Sequence, residues 1–586
     1  MTMLIFIIAK VVFMLYNSSQ VYSGHDILTV LWNGLSLDFS TSLYIIIVPF
    51  LVCAVSIWLG GIKTLRIIVR VYYLLIAIAM TLAFVADTSL YEFWLFKLDS
   101  SCLQYLETPT EAMASVSLGY IVIRFIVIAI VSYIIWWAYT HPHWRITPSN
   151  HRITESIVAL LCIPVIIIGI RGGLGESTTN IGQVYFSQNQ FLNHSAVNPV
   201  FNFIDSFDKA DADYSFMSDD ECSKIMSDLY NTQSINCDTL LNTQNPNIII
   251  ILLEGCGGEF TEIGGRTDIT PNLNKLAKEG IYFTNCYGNT WRTDRGTVCA
   301  LSGYPSFPTM SVMKIPSKSR SLPNIARTLQ NERGYYTSYI YGGDINFTNM
   351  RSYLISGGFE DLTWMKDYSA EEQKTAQWGV RDDITFKTLY QMATNTEQPF
   401  LIGFSTLSSH SPWDVPTKHF DDKVINSFHY LDECIGEFIN KLRKSESWKN
   451  TLVVMLPDHG IPYNGLDETS SLLNHIPMIW VGGAVKKPRQ IDQVCNQTDL
   501  PATLLGQLGI SHDEFTFSRD VLSSTYTKPF ATHTFDNGFS MVDSASFVSY
   551  DFVSNKVIAE EGHKNEQLLT FGKAILQAAS KDFKER

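Results

Sequence analysis

Glu254, Asp458, His459 and His410 each follow an apolar run, and together their residue types describe a site for a divalent cation. Asn247–Leu253 ends at Glu254-Gly255, Thr451–Leu456 is followed by Pro457-Asp458-His459-Gly460, and Phe400–Phe404 leads through Thr406-Leu407-Ser408-Ser409 to His410. Carboxylates and imidazoles brought to one place need a partner, because unpaired buried charge is costly. Oxygen-rich ligation with one histidine suits manganese, magnesium or zinc alike. A histidine at a strand end, taken singly, is an ordinary loop side chain. The set, with Asp-His-Gly directly after an apolar run, reads as metal chemistry.

A candidate nucleophile comes from the stretch Tyr287–Pro305, a polar loop entering a short helix that stops at Gly303. Thr293 stands at the helix start with Asp294 in the first turn, a place that a capping threonine fills without any chemistry. The same place suits phosphoryl transfer, because a helix N-terminus offers free N–H groups and the positive end of the dipole. A threonine hydroxyl becomes a nucleophile once a metal lowers its pKa. Arg292 or Arg295 is placed to neutralise phosphate oxygens. Thr290 and Thr297 remain alternatives at this stage.

These residues need a scaffold that ends several strands along one edge. Continuous β-branched runs are expected of strands buried on both faces of a parallel sheet. Tyr336–Tyr341, running into Gly342-Gly343-Asp344, adds a fourth, and helical patterns at Pro271–Glu279 and Phe428–Arg443 lie between the strands. The alternation predicts a doubly wound α/β domain with a mostly parallel central sheet. Such sheets bind ligands at the carboxyl ends of their strands.

The first 171 residues read differently. Apolar segments at Leu4–Tyr16, Leu43–Leu59, Val71–Ala86, Tyr120–Ala138 and Ile157–Ile170 predict five transmembrane helices, the first interrupted by Lys10 and the last by Pro164. The stretch between the first two has no Lys or Arg. The next carries Lys63, Arg66 and Arg70, the third only Lys97 among Asp87, Glu92, Asp99, Glu107 and Glu111, and the fourth Arg145 and Arg152. The positive-inside rule then places the N-terminus in the cytoplasm and everything after Arg171 outside. Arg124, near the outer end of the fourth segment, is expected to snorkel or to meet a lipid headgroup. The expected organisation is residues 1–171 in the membrane, 172–245 as a linker that lies along the membrane surface, and 246–586 as the extracytoplasmic domain.

Of 586 residues, 17% are charged, and the formal net charge is −14. That charge argues against nucleic acid as a partner, since phosphate backbones select basic surfaces. The ten cysteines show no metal-binding spacing. Cys222 and Cys237 flank a polar stretch outside the cytoplasm, where a disulfide between them is an open expectation.

Thr270-Pro271-Asn272-Leu273 with Leu276–Gly280, Glu254 after its strand, Arg292-Thr293-Asp294 with Ser302-Gly303-Tyr304-Pro305, Asp458-His459-Gly460 and Thr498–Leu505 resemble the lipoteichoic acid synthase family of the sulfatase/alkaline-phosphatase superfamily. The resemblance implies a metal-dependent membrane phosphotransferase of the bacterial cell membrane. Thr293 would take phosphoglycerol from a phospholipid donor and pass it to the hydroxyl of an envelope glycolipid or glycan. It further implies one divalent cation, manganese, held by Glu254, Thr293, Asp458 and His459. His410, in Ser409-His410-Ser411-Pro412-Trp413, matches a substrate-binding histidine. Phe347–Arg351 resembles the headgroup loop, bringing in Asn349 and Arg351; where the family has an aromatic followed by Asn-Arg, this chain has Thr348-Asn349-Met350-Arg351. His475 leaves room for the second zinc of phosphoethanolamine transferases, the alternative on this scaffold. A sulfatase or phosphodiesterase-type hydrolase and a non-catalytic envelope sensor are the remaining alternatives. A sulfatase needs Cys or Ser in a C/S-x-P-x-R turn, and the turn here is Thr293-Asp294-Arg295-Gly296-Thr297.

Overall fold

The computed structural model describes all residues except 19–21, 60–62, 95–96, 99–101, 104–117, 142–150, 188, 209–212, 231–238, 537, 553 and 564–565. Two compact units divide the chain, Met1–Lys209 and Ala210–Arg586.

The first unit is built on α1 (Thr2–Asn17), α2 (Gly24–Leu59), α3 (Lys63–Trp94), α4 (Leu118–Thr140) and α5 (Arg152–Arg171). Among the described residues, α2 to α5 are four helices long and apolar enough to cross a membrane, and α1, at 16 residues, is shorter. At 1.5 Å per residue α1 reaches about 24 Å, against a hydrocarbon core of about 30 Å. Of the five expected spans, four therefore reach full length and the first does not.

Most of the stretch expected to loop between the first two spans is helix, because Val30, Gly34 and Leu37 recur at helical spacing and carry α2 back to Gly24. Lys10, the charge that interrupts α1, is buried and donates to Asp38 at 2.8 Å and to the Gly34 carbonyl at 3.0 Å. Asn198 donates to the other Asp38 oxygen at 2.8 Å, completing the set. A Cβ at residue 34 would sit 2.6 Å from the backbone carbonyl oxygen of Ala196, so glycine is required there. Arg124 is held within the helices, donating to Ser89 at 2.8 Å and lying 4.3 Å over the Tyr120 ring. Arg145 and the pairing of Cys222 with Cys237 fall outside the described residues, through Arg145 and Cys237 themselves. Cys222 is buried and donates to the Ala574 carbonyl.

The second unit is ordered by a nine-stranded sheet. Its strands are β1 (Asn247–Leu253), β2 (Ile281–Tyr287), β3 (Tyr336–Tyr341), β4 (Asp361–Trp364), β5 (Phe400–Ser405), β6 (Thr451–Pro457), β7 (His475–Val481), β8 (Arg489–Ile491) and β9 (Cys495–Asn496). The order is β4-β3-β5-β1-β6-β7-β2-β8, with β9 beside β2. Every pairing is parallel except those of β7, which runs against both β6 and β2. All seven residues of β1 and of β6 are buried, as expected for strands covered on both faces.

Helices α6 (Pro271–Glu279), α7 (Thr293–Ser302), α8 (Asp382–Asn395), α9 (Lys423–Leu442) and α10 (Leu500–Leu508) connect the strands. The buried Asp432 of α9 accepts the N–H groups of Asn272 and Leu273 at 2.9 and 2.7 Å and so satisfies the first turn of α6. A separate antiparallel sheet follows, β10 (Ala531–Phe535), β11 (Gly538–Val542), β12 (Ser546–Asp551) and β13 (Lys556–Gly562), and α11 (Glu566–Glu585) ends the chain.

Candidate active site

The register of the parallel strands sets the site. Leu253 lies beside Pro457, so Glu254 and Asp458 leave β1 and β6 side by side at the carboxyl edge of the sheet. β5 joins them there: Thr406 Oγ1 accepts the Glu254 N–H at 2.9 Å, and the Ser409 hydroxyl donates to the Glu254 carbonyl at 2.7 Å. β2 runs parallel to β1 and β6, so its loop delivers α7 to the same edge. A Cβ at Gly296 would lie 2.1 Å from the Asp458 carbonyl oxygen. Only glycine lets the first turn of α7 approach this closely, and that approach brings Thr293 to the carboxylates.

There the Thr293 hydroxyl donates to Glu254 Oε2 at 3.0 Å and lies 3.5 Å from His459 Nε2. His459 Nε2 is 3.5 Å from Glu254 Oε1 and 3.6 Å from Asp458 Oδ2. One ligand atom from each of Glu254, Asp458 and His459 falls within 4.8 Å of the others, and all three residues are buried. His459 Nδ1 donates to the Gly460 carbonyl at 2.9 Å, which fixes the proton on Nδ1 and turns Nε2 inward. Asp458 Oδ1 accepts the N–H groups of Gly255 and His459, both at 2.9 Å, leaving Oδ2 for the centre. Two carboxylates, an imidazole with its outer nitrogen anchored and a hydroxyl fit a small divalent cation.

The electrostatics agree with that fit. Burial acts to raise the Glu254 carboxyl, but the hydrogen bond and charge of His459 outweigh it and hold Glu254 below its ordinary range. Burial and the neighbouring Glu254 charge push Asp458 up. Burial alone would lower His459, yet the two carboxylates raise it to about 10. The metal-free cluster therefore keeps a proton on His459 through neutral pH, and a cation must displace it. Affinity should rise by about tenfold or more per pH unit across neutrality, because at least one proton leaves for each ion bound. Calorimetric titration of manganese in buffers of different ionisation enthalpy measures that release. Binding without proton release would contradict the arrangement.

The competing threonines are placed elsewhere. Thr297 donates its hydroxyl to the Thr293 carbonyl at 2.8 Å, a bond within the helix, and Thr290 is fully buried. Thr293 is not a cap: Arg292 occupies the cap position and makes no side-chain capping bond. Arg292 is exposed and lies 4.6 Å over the Trp291 ring. Arg295 is buried, donating to the Pro308 carbonyl at 3.2 Å.

His410 ends the loop from β5, its Nδ1 donating to the Ser411 carbonyl at 2.9 Å and leaving Nε2 unspent on that bond. Its ring neighbour is Trp378, at 4.6 Å, rather than Trp413, which contributes a backbone bond to the His410 carbonyl. Trp378 also lies 6.2 Å from the half-exposed Phe347, which links the expected headgroup segment to His410. Thr348 and Asn349 both adopt left-handed backbone, with φ of 55° and 64°, a conformation that a β-branched threonine rarely holds. Asn349 donates to the Lys314 carbonyl at 3.1 Å. Arg351 Nε is buried without a hydrogen-bond partner, and burial lowers the guanidinium pKa against the charges of Asp367 and Asp344. His475 begins β7 and is engaged structurally, donating from Nε2 to the Thr284 carbonyl at 2.8 Å and stacking on Tyr287 at 4.7 Å.

Sequence reasoning missed the residues that steady this edge. Gln497 donates to the carbonyls of Pro457 and Asp458 at 2.9 and 2.8 Å and accepts the Asn289 N–H at 3.3 Å, joining the end of β6 to the loop before Thr293. Asn289 in turn accepts the Ser306 N–H at 2.8 Å. The run Asn496-Gln497-Thr498-Asp499 is polar but wholly buried, and its polarity beside an apolar helix was the available signal.

The sulfatase family model matches residues 246–510. Lipoteichoic acid synthase 2 of Bacillus subtilis is 27% identical over 317 residues, covering 48% of this chain and 48% of that protein. Phosphoglycerol transferase I of Xanthomonas campestris is 24% identical over 309 residues, covering 47% of this chain and 43% of that protein. The chain thus spans about half the length of the curated relatives it matches. The crystal structure of a protein in the alkaline phosphatase superfamily from Vibrio parahaemolyticus superposes with a TM-score of 0.56 at 25% identity, covering 64% of this chain and 98% of that one. Residues 246–510 are accordingly a sulfatase-family domain of alkaline-phosphatase-superfamily fold, with lipoteichoic acid synthases and phosphoglycerol transferases among its sequence relatives.

Proposed function

We propose that this chain is a membrane phosphotransferase that moves a phosphoglycerol-type headgroup from a phospholipid, through a phosphothreonine at Thr293, to an acceptor hydroxyl. The observation that carries the reading is the Thr293 hydroxyl at a helix start, 3.0 Å from the Glu254 carboxylate and 3.5 Å from His459 Nε2. Glu254, Asp458, His459 and the Thr293 oxygen would hold one divalent cation, manganese suiting this donor set. When bound, the cation supplies Lewis acidity that lowers the pKa of a hydroxyl and offsets phosphate charge.

In the first step the Thr293 hydroxyl gives up its proton to solvent water and its oxygen attacks phosphorus. The bond from phosphorus to the diacylglycerol oxygen breaks, and that oxygen leaves with a proton. His410 is suited to deliver the proton from Nε2, since Nδ1 stays on the Ser411 carbonyl. In the second step the acceptor hydroxyl gives a proton back to His410 Nε2 and its oxygen attacks phosphorus; the bond from phosphorus to the Thr293 oxygen breaks, and that oxygen takes a proton back from solvent water. Arg351, charged and unpaired at Nε, supports binding of an anionic headgroup, and Asn349 and Arg292 supply further polar groups near the same edge.

The test is release of diacylglycerol by the purified full-length protein from phosphatidylglycerol vesicles with manganese. Release that requires the metal supports the reading. Turnover only of phosphatidylethanolamine would replace it with phosphoethanolamine transfer. Substituting His410 by alanine should slow transfer by about 100- to 10,000-fold with manganese still bound. Loss of the metal would instead make His410 a ligand.

The apolar helices make this a membrane protein, and the loop charges favour an extracytoplasmic catalytic unit. A reporter fused after Arg586 that is active only outside the cytoplasm is expected to be active. Activity of a cytoplasm-only reporter at that position would reverse the orientation.

A further inference from the structure

A second group of metal-ligating side chains lies apart from Glu254, Asp458 and His459. α9 places His429 and Glu433 one turn apart on the same helical face, and residues 411–422 bring His419 to them. One ligand atom from each of the three lies within 4.8 Å of the others. His419 Nε2 is 3.2 Å from Glu433 Oε1, and the two imidazole rings are 4.6 Å apart.

The donors are prepared rather than loose. His429 Nδ1 is 2.8 Å from the Ile269 carbonyl; a carbonyl only accepts, so Nδ1 carries the proton and Nε2 is left as the ligand atom. The segment bearing His419 is pinned by Asn426, whose Oδ1 accepts the N–H groups of His419 and Phe420 at 2.7 and 3.2 Å while Nδ2 donates to the Thr417 carbonyl at 2.7 Å. Phe420 packs edge-on against His429 at 5.3 Å. The His419 and Glu433 side chains are 44% and 37% exposed, so a hydrated ion reaches them without any opening of the fold.

We propose that His419, His429 and Glu433 form a second, solvent-accessible divalent-cation site suited to zinc, with its fourth position open to water. Two imidazoles and one carboxylate are a zinc donor set, more nitrogen-rich than the site at the sheet edge. A bound ion would tie the segment that follows His410 to α9. The assignment does not depend on the reaction proposed above.

Zinc alone, titrated into chelator-treated full-length protein in detergent, tests it. The wild type should bind two equivalents, and His419→Ala should bind one; His419 is exposed, so this substitution spares the fold. Glu254→Ala/Asp458→Ala should retain one equivalent, lost when His419→Ala or Glu433→Gln is added. Zinc should raise the Tm of the Glu254→Ala/Asp458→Ala protein and leave the triple variant unchanged. A Glu254→Ala/Asp458→Ala protein that binds no zinc, or one whose remaining equivalent survives His419→Ala and Glu433→Gln together, would overturn the proposal.

Discussion

Thr293→Ala should lower transfer by about 10⁴-fold or more, the scale lost when a covalent nucleophile is removed, while the protein still inserts and folds. The separation is expected because the side chain has little structural work. It caps nothing, and its one hydrogen bond shorter than 3.5 Å goes to Glu254. Removing a partly buried hydroxyl of this kind costs about 1 kcal/mol. Thr293→Ser keeps a hydroxyl at the same atom and should retain measurable turnover. Steady-state diacylglycerol release beside a thermal melt checks both halves. Near-normal turnover of the alanine variant would move the nucleophile elsewhere, and a collapsed melt would assign Thr293 to the fold.

Asp458→Asn should weaken manganese binding by at least about 100-fold and remove activity with it. The asparagine oxygen can still accept the N–H groups of Gly255 and His459, so the end of β6 stays tied to β1. Only the ligand charge is lost. Asp458→Ala should lose the metal as well, and in addition leave two buried N–H groups unsatisfied, at about 1–3 kcal/mol each. The two variants therefore separate in stability and agree in metal content. Metal analysis of dialysed protein and a denaturant melt read the two quantities. Full metal occupancy in Asp458→Asn would remove Asp458 from the ligand set.

Parts of this architecture were legible because one physical signal dominated them. β1, β5 and β6 are unbroken apolar runs, and a carboxylate or Asp-His at the end of such a run can only emerge at the sheet edge. β2 was hidden because Thr284 and Asn285 interrupt it and only one face is fully buried. β7 was hidden by Pro477, which reads as a strand breaker. The β2–β7 register shifts between Phe283 and Cys286, opposite that proline, so its missing N–H breaks no regular ladder.

Gly296 looked like any glycine, since its need arises only from the Asp458 carbonyl across the site. Trp378 and Gln497 were invisible for the same reason: their roles come from burial and from partners distant in sequence. In the membrane half, hydropathy marked the apolar cores of the helices but not the start of α2, where polar residues such as Asn33, Ser36 and Asp38 interrupt the apolar run. Nor did it show that Asp38, 28 positions on, neutralises Lys10.

In the proposed reaction Thr293 carries the transferred group. Intact-mass and peptide mass spectrometry of the full-length protein, quenched during turnover on phosphatidylglycerol vesicles with manganese, addresses it most directly. One added phosphoglycerol is expected, mapped to Thr293 and absent from Thr293→Ala. An adduct on Thr290 or Thr297, or active enzyme that never carries one, would contradict it.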